Sequence, residues 1–377
     1  MGLLDFLSGK HREPAECVIT VGGEEISHLY PYLVEVRVEC SRGDAATGTL
    51  RFESRRDENG VWSVQDDPAL RPWQPIVVSA AFGSTVEEIV GGYIREVRAS
   101  YPEDPGTTTV DVELQDGTLE MDREHVRKAW GGEAPTTDAA IFAEIVGKYP
   151  VIPDPENGMG LTGLTLNQNA TDIRFLRARA EANGYELILD RGFLYFGPLR
   201  LEADAQETIL VYAGRDTHCY SFDVRADGHQ PDAVGYDVAP ETGSEPVHQD
   251  LQPDLALLGN EPADSTASGL SPFIWRLDRP GSVSAAELDS YARGRANELA
   301  MRVRAQGELD GSLYGHVLRV GLPVGVDGIG TTMGGIYYVD TVSHVFSIDG
   351  YRQSFTLLRN AFGDNLESGL SLLAGVL

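Results

Sequence analysis

Hydrophobic and charged side chains alternate along much of the first hundred residues. In residues 32–39, valines alternate with glutamate and arginine, and residues 49–52 repeat this period of two. Such a period places apolar side chains on one face of a β-strand and polar ones on the other. Glycine-rich and proline-rich turns separate the later runs of the same kind. The pattern predicts an antiparallel β-barrel or sandwich over residues 17–119.

A period close to 3.6 residues appears in the middle of the chain. Residues 123–130 and 138–148 are predicted to be helices, and the second follows a capping threonine, Thr136 or Thr137. The expected buried stripe of the second helix consists of Ile141, Phe142, Ile145 and Val146.

A helix followed by a tight hairpin is predicted between Asn169 and Pro198. Asn169 or Thr171 caps the helix, Asp172 lies in its first turn, and Asn183-Gly184 ends it. The solvent side of this helix is expected to carry Arg174, Arg177, Arg179 and Glu181. The strands of the hairpin are residues 185–189 and 193–196. Residues 120–205 therefore form a predicted α+β middle domain.

Strand patterns return in the last third of the chain. Residues 206–240 and 306–362 are predicted to build a second β-barrel, which residues 241–305 interrupt. This insertion begins as an acidic loop and continues as a helix that starts at the capping box of Ser284 and is expected to run until Gly307 stops it. The expected fold class is α+β and strand-dominated.

Composition narrows the possible functions. The net charge is −28, from 58 acidic and 30 basic side chains, whereas a surface that binds nucleic acid needs clustered lysine and arginine. No sequence-specific binding of nucleic acid is expected, and much of the acidity serves solubility. Cys17, Cys40 and Cys219 are too scattered for a disulfide framework or a zinc site, and they fit a reducing compartment.

Both ends of the chain carry short apolar segments. Residues 1–16 are neither a signal peptide nor a membrane span, and they are expected to be a docking segment. Its apolar residues are Leu3, Leu4, Phe6 and Leu7. The C-terminal tail, residues 363–377, is too short to cross a bilayer and is either a frayed end or a docking peptide for a neighbouring subunit or a spike. The candidate interface residues of the tail are Leu366, Leu370, Leu372, Leu373 and Val376.

Catalytic and metal-binding patterns are sparse. His344 lies in a strand pattern without a neighbouring acid or nucleophile, which favours a structural histidine, and His218-Cys219 has no metal-ligand spacing. The carboxylate pairs Asp66-Asp67 and Glu103-Asp104 lie next to prolines in turn-like stretches, where solvated surface is the simpler interpretation. No catalytic residue, metal ligand or cofactor site is expected, although a cell-wall or glycan hydrolase remains an alternative, because two carboxylates distant in sequence suffice for that chemistry.

Two stretches resemble the late control protein D family, the baseplate hub proteins of contractile phage tails and injection systems, including the hub half of VgrG. The first is DIRFLRARAEANGYELILDRGFLYFGP at residues 172–198, and the second is the glycine-rich block at residues 305–360. In the second block Val342 stands only two residues before His344, so this part of the family pattern matches approximately. The residues that carry the resemblance are Gly184, Tyr185, Gly335, Tyr337, Val339, His344, Gly350 and Tyr351.

The resemblance implies a structural protein with two similar β-barrel tube domains per chain. A homotrimer would then place six barrels in a pseudo-sixfold ring between a hexameric tail tube and a trimeric central spike. The implied partners are a separate spike protein, the tail tube protein and baseplate wedge proteins. The implied location is the cytoplasm during assembly, then a virion tail or injection-particle baseplate. A β-rich adhesin or carbohydrate-binding module is a further alternative, although the four tryptophans, Trp62, Trp73, Trp130 and Trp275, are dispersed.

Overall fold

A computed structural model describes residues 14–103, 108–238, 247–264, 268–277 and 284–366. Its first section consists of strands and a short 3-10 turn, as the alternating pattern predicts. The strands are β1 (Glu16–Val21), β2 (Glu24–Glu25), β3 (Leu33–Ser41), β4 (Thr47–Glu53), β5 (Pro75–Phe82), β6 (Thr85–Ser100) and β7 (Thr109–Asp116). Val36, Val38, Leu50 and Phe52 are buried in one hydrophobic core, whereas the charged residues between them face outwards. Each such side chain stabilises the fold by about 1.5–3 kcal/mol when it is fully buried.

The middle section combines short strands with two helices. Its elements are β8 (His125–Trp130), β9 (Thr136–Thr137), α1 (Asp138–Val146), β10 (Ile152–Pro153), β11 (Thr162–Leu164), β12 (Leu166–Thr171), α2 (Asp172–Asn183), β13 (Glu186–Asp190) and β14 (Phe193–Gly197). The predicted helix at residues 123–130 is wrong, because residues 125–130 form β8, which pairs with β12. Alternate residues of β8 are exposed, and Trp130 enters the core beside Phe175.

The predicted helix and hairpin are present. Thr137 accepts a hydrogen bond from the Ala140 N–H and caps α1, and α2 ends at Gly184 with φ 63°. β13 pairs with β14 through the turn at residues 191–192. Two expectations for α2 are wrong. Arg179 is buried rather than on the solvent side, and Thr171, at the N-cap position, donates its hydroxyl to Asp122 and does not cap the helix with its side chain.

The last section contains the remaining elements. They are β15 (Gln206–Leu210), β16 (Cys219–Ala226), β17 (Ala233–Val238), β18 (Val247–Leu251), β19 (Glu261–Pro262), β20 (Ile274–Arg276), α3 (Ala285–Ala300), β21 (Val303–Asp310), α4 (Gly311–Tyr314), β22 (Pro323–Asp327), β23 (Gly335–Ser347), β24 (Gly350–Arg359) and β25 (Ala361–Phe362). Ser284 caps α3 as predicted, but the helix ends at Ala300 and not at Gly307. Gly307 lies inside β21, opposite Phe222 and Phe355 of the neighbouring strands.

One 13-stranded sheet connects the two ends of the chain. Its main path runs β16-β21-β24-β23-β3-β4-β7-β6-β5-β1-β2, and β22 and β15 extend it beside β23. The antiparallel pairing of β3 with β23, which we call the seam, joins the first section to the last from Thr341↔Ser41 to Phe346↔Val36. The sheet borders two hydrophobic cores. The first section encloses one of them together with Val317, Phe346 and Tyr351, and the other lies within the last section. The strand-dominated α+β class is confirmed.

The insertion forms a small layer of its own. β18, β17 and β20 make a three-stranded sheet, and α3 packs on it through Leu288, Ala292 and Ala296. β17 therefore belongs to this sheet and not to the 13-stranded one. The insertion contacts the middle section where α3 packs against α2. The first section, the middle section, the insertion and the last section therefore come close together near the end of the seam.

Candidate functional site

An arginine at the end of the seam joins these four parts. Arg42 follows β3, and its guanidinium donates to Asp340 Oδ1 at 2.9 Å, to Glu186 Oε1 at 2.7 Å and to Glu298 Oε1 at 3.3 Å. These carboxylates lie on β23, β13 and α3 respectively. We call Arg42, Glu186, Glu298 and Asp340 the Arg42 cluster. It fixes the relative positions of the two sheet sections, the middle section and the insertion.

The charges of the Arg42 cluster depend on each other because the cluster is largely buried. Burial favours the neutral form of Arg42, but the three carboxylates outweigh burial and raise the pKa of the guanidinium. Burial also raises the pKa of Glu186, against the opposite influence of Arg42 and of the Tyr338 hydroxyl, which donates to Glu186 Oε2 at 2.7 Å. The sequence analysis missed this cluster, because no local pattern marks a residue whose partners lie 144 to 298 residues away.

A second buried arginine ties the middle section to the insertion. Arg179 on α2 donates to Asp138 Oδ1 at 2.7 Å and also contacts Glu287 on α3. Asn183 donates to Asp138 as well, at 2.7 Å, so this carboxylate is fully engaged. The helices touch where Gly184 meets Gly294, and a Cβ on Gly294 would lie 2.4 Å from the Cα of Gly184. The contact therefore requires glycine.

His344 lies inside the fold and not in an open site. It is 1% exposed on β23, its Nδ1 lies 2.8 Å from the Tyr351 hydroxyl, and the two rings stack. Burial, with a smaller contribution from Arg319, lowers the pKa of His344 to about 3, so the ring is neutral at physiological pH. A buried neutral histidine bonded to a tyrosine holds the hairpin of β23 and β24 together.

The other residues of the family pattern also lie at structural positions. Tyr337 and Val339 are buried in the core of the last section, and Tyr185 packs edge-on against Phe196. Gly335 and Gly350 have φ values of 126° and 95°, which favour glycine. A Cβ on Gly335 would lie 2.5 Å from Arg359 Nη2.

The first residues of the C-terminal tail contact the last section of the same chain. Asn365 Oδ1 accepts a hydrogen bond from the Ile336 N–H at 2.9 Å, and Arg359 donates to the Gly363 carbonyl at 2.5 Å. A Leu366 methyl group lies 3.0 Å from the position that a Cβ on Gly325 would take. The remaining candidate interface residues lie outside the described residues: Leu3, Leu4, Phe6, Leu7, Leu370, Leu372, Leu373 and Val376.

Three of the other candidates from the sequence, Asp66, Asp67 and His218, have partners within the fold. Asp66 accepts from the Trp62 N–H, and Asp67 contacts His28 at 2.7 Å. Nδ1 of His218 accepts from the Leu210 N–H at 3.2 Å, and Glu103 is exposed, whereas Asp104 lies outside the described part. Within the described ranges, no group of three or more His, Cys, Asp or Glu is arranged to hold a metal ion. In the same ranges, the helices are too short or too polar to span a membrane.

Several solved structures that share this fold are tail proteins. The 43 kDa tail protein of prophage MuSo2 from Shewanella oneidensis superposes with a TM-score of 0.68 at 13% identity, over 92% of this chain and 99% of that one. The tail protein from Neisseria meningitidis MC58 superposes with a TM-score of 0.65 at 14% identity, over 92% and 97% of the two chains. An E. coli component of the type VI secretion system, itself similar to T4 bacteriophage tail proteins, gives a TM-score of 0.55 at 12% identity, over 90% and 76%. The chain has a phage tail-protein fold.

The family follows from the sequence match. Residues 12–347 match the family model described as the Alg8 N-terminal domain, Alg8_N. The match covers most of the chain, which belongs to this family. No curated protein matches the chain in sequence. The expected likeness to tail proteins is thus confirmed at the level of the fold, while the late control protein D family is not singled out.

Proposed function

We propose that the chain is the structural hub of a contractile phage tail or injection-system baseplate. In this proposal a homotrimer forms a ring of pseudo-sixfold symmetry that joins the hexameric tail tube to the trimeric central spike. The observation that carries the proposal is the division of one sheet into two sections with separate cores. Three chains then present six sections to the tube and three copies of every other surface to the spike.

The fold and the motifs support this proposal in different ways. The fold is shared with phage tail proteins over 92% of the chain. The resemblance to late control protein D proteins rests on residues at structural positions, such as Gly184 at the end of α2 and Tyr351 in the hairpin of β23 and β24. The buried polar clusters around Arg42 and Arg179 are engaged in joining parts of the chain, which suits a rigid connector more than an enzyme.

The proposal assigns tasks to the parts of the chain. Residues 17–119, together with residues 206–226 and 303–362, supply the ring, and residues 120–205 are the middle domain. Residues 233–300 are the insertion, because β17 pairs with β18 and β20 and not with the 13-stranded sheet. The tail tube protein, baseplate wedge proteins and a separate spike protein are the proposed partners. The protein is made in the cytoplasm and ends in a virion tail or an injection particle.

The mass of the purified protein in solution tests the trimer. Multi-angle light scattering is measured on the chain alone and with the spike protein encoded beside it. A hub component of three times 40.9 kDa in either condition supports the ring. A strict monomer in both conditions refutes it.

The proposed role of the tail has its own test. Deletion of residues 367–377 leaves the described contacts of Asn365 and Leu366 in place, whereas deletion of residues 365–377 removes them. We expect both deletions to weaken capture of the spike protein in a pull-down, and we expect thermal unfolding to change only for the longer one. Unchanged spike capture by both deletions would contradict a docking role for the tail.

A further inference from the structure

An exposed tryptophan on the first section has an unusual backbone conformation. Trp73 has φ 71°, and among the described residues other than glycine only Arg191 is also positive. The Gln74 N–H donates to the Arg71 carbonyl at 3.2 Å, which closes a turn with Pro72 and Trp73 at its centre. Proline followed by a residue with positive φ defines a type II turn, whose second central position favours glycine or asparagine. A bulky side chain there is a genuine outlier that costs free energy.

The surroundings of Trp73 hold its ring in one place on the surface. The Trp73 N–H donates to the Ile94 carbonyl at 2.7 Å, and the guanidinium carbon of Arg123 lies 4.4 Å from the centre of the ring. The Tyr93 ring is 6.1 Å away, and its hydroxyl donates to Glu120 at 2.9 Å. The tryptophan nevertheless remains 46% exposed. The strained backbone therefore presents a fixed aromatic ring to solvent and does not fill the core.

Two exposed arginines lie at this turn, in a chain whose net charge is negative. Arg71 and Arg123 are both exposed, and within the described ranges neither has a carboxylate partner. In the chain as a whole, acidic side chains outnumber basic ones by 58 to 30. We call Arg71, Trp73, Tyr93 and Arg123 the Trp73 anchor. Tryptophan, tyrosine and arginine are the residue types that dominate the binding energy of protein interfaces.

We propose that the Trp73 anchor is the contact through which one copy of the chain binds the acidic surface of the next copy in the ring. This inference rests on the proposed trimer and names the residues that hold it together. In a cyclic trimer each interface is heterologous, so the anchor of one copy faces a different surface of its neighbour. Because the chain carries a net charge of −28, carboxylates are the charged groups that a neighbouring copy offers most often, and two arginines without ion pairs complement them. A backbone strained before binding keeps the ring ordered, which lowers the entropy lost on association.

The substitution Trp73→Asn tests the anchor, because asparagine accepts a positive φ and removes the ring. The control is Arg191→Asn, the same exchange at the other position with positive φ, in the turn between β13 and β14. The concentration of half-assembly is measured by light scattering over a dilution series, and unfolding by urea is measured at the same concentrations. For Trp73→Asn we expect the half-assembly concentration to rise at least about tenfold, as for an interface hot spot, with a urea midpoint of the dissociated chain close to that of the control.

Salt dependence provides a second readout. Increasing ionic strength screens both the attraction of Arg123 to its neighbour and the repulsion between the acidic chains. Because Arg123→Gln removes only the attraction, added salt should favour assembly of this variant more than assembly of the wild type. If the wild type assembles and the Trp73→Asn variant, measured separately, has the same half-assembly concentration, the anchor is overturned and the proposed hub remains. A wild type that stays monomeric alone and with the spike protein would overturn both. If Trp73→Asn lowers the urea midpoint of the dissociated chain and leaves assembly unchanged, the tryptophan is structural and the inference is wrong.

Discussion

Acidification should destabilise the wild-type protein more than a variant that lacks His344. In the folded state the pKa of this buried histidine is lowered to about 3, from a reference value of 6.5. Between these values the unfolded chain binds a proton at His344 that the folded chain excludes. Stability contributed by the neutral ring is therefore complete above pH 6.5 and is lost as the pH falls towards 3.

The size of the effect follows from the two pKa values. One pH unit corresponds to about 1.4 kcal/mol for each proton bound differently. Since pH 5 lies one and a half units below the reference value, His344 should cost the folded state about 2 kcal/mol there. This is a large share of the ~5–15 kcal/mol by which domains are usually stable.

The comparison of wild type with His344→Gln isolates this contribution. Glutamine can still bond to the Tyr351 hydroxyl but does not titrate, and every other group changes in the same way in both proteins. Urea unfolding of each protein is measured at pH 7 and pH 5, and His125→Gln, at an exposed position of β8, is the control for losing a histidine. The variant should gain about 2 kcal/mol relative to the wild type between the two pH values. An equal difference in stability at both pH values would refute the reasoning.

Two further predictions concern the contacts between sections, and urea unfolding tests both. Gly294→Ala should destabilise the protein by roughly 1–3 kcal/mol, although alanine usually strengthens a helix, because the added Cβ would lie 2.4 Å from Gly184 Cα. The control is Gly132→Ala, whose added Cβ would have no atom within 4 Å and which should be almost neutral. A Gly294→Ala variant that is more stable than the wild type would show that the two helices can move apart at no cost. Arg42→Gln should cost roughly 3–5 kcal/mol because it leaves three carboxylates without their cation, whereas the exposed Arg37→Gln should change stability by less than ~0.5 kcal/mol. Similar losses in both arginine variants would contradict the role of the Arg42 cluster.

The sequence predicted the elements whose signals are local. The end of α2 required only Asn183-Gly184, and the caps of α1 and α3 required only Thr137 and Ser284, because these residues bond to the backbone of the same helix turn. The alternation of apolar and charged residues along β3 marked its two faces, because successive side chains of a strand point to opposite sides. These features depend on neighbours within a few residues.

Expectations failed where distant residues decide the structure. The six residues of β8 are too few to separate a helix from a strand, and their pairing with β12 settles the matter. Arg179 looked like a surface residue because Asp138, which neutralises it, lies 41 positions earlier. Gly307 was expected to stop a helix, but its lack of a side chain allows Phe355 to pack over β21. The Arg42 cluster and the conformation of Trp73 left no pattern in the sequence.

The seam also sets the order of events during synthesis. At its centre Ser343 contacts Glu39, which was made 304 residues earlier. At about 5–20 residues per second, a ribosome needs roughly 15–60 s to cover this distance. For that time β3 has no partner on one edge, and an open strand edge invites pairing with other nascent chains. The charged residues that alternate along β3 then disfavour pairing of its open edge with other chains until β23 has been made and covers that edge.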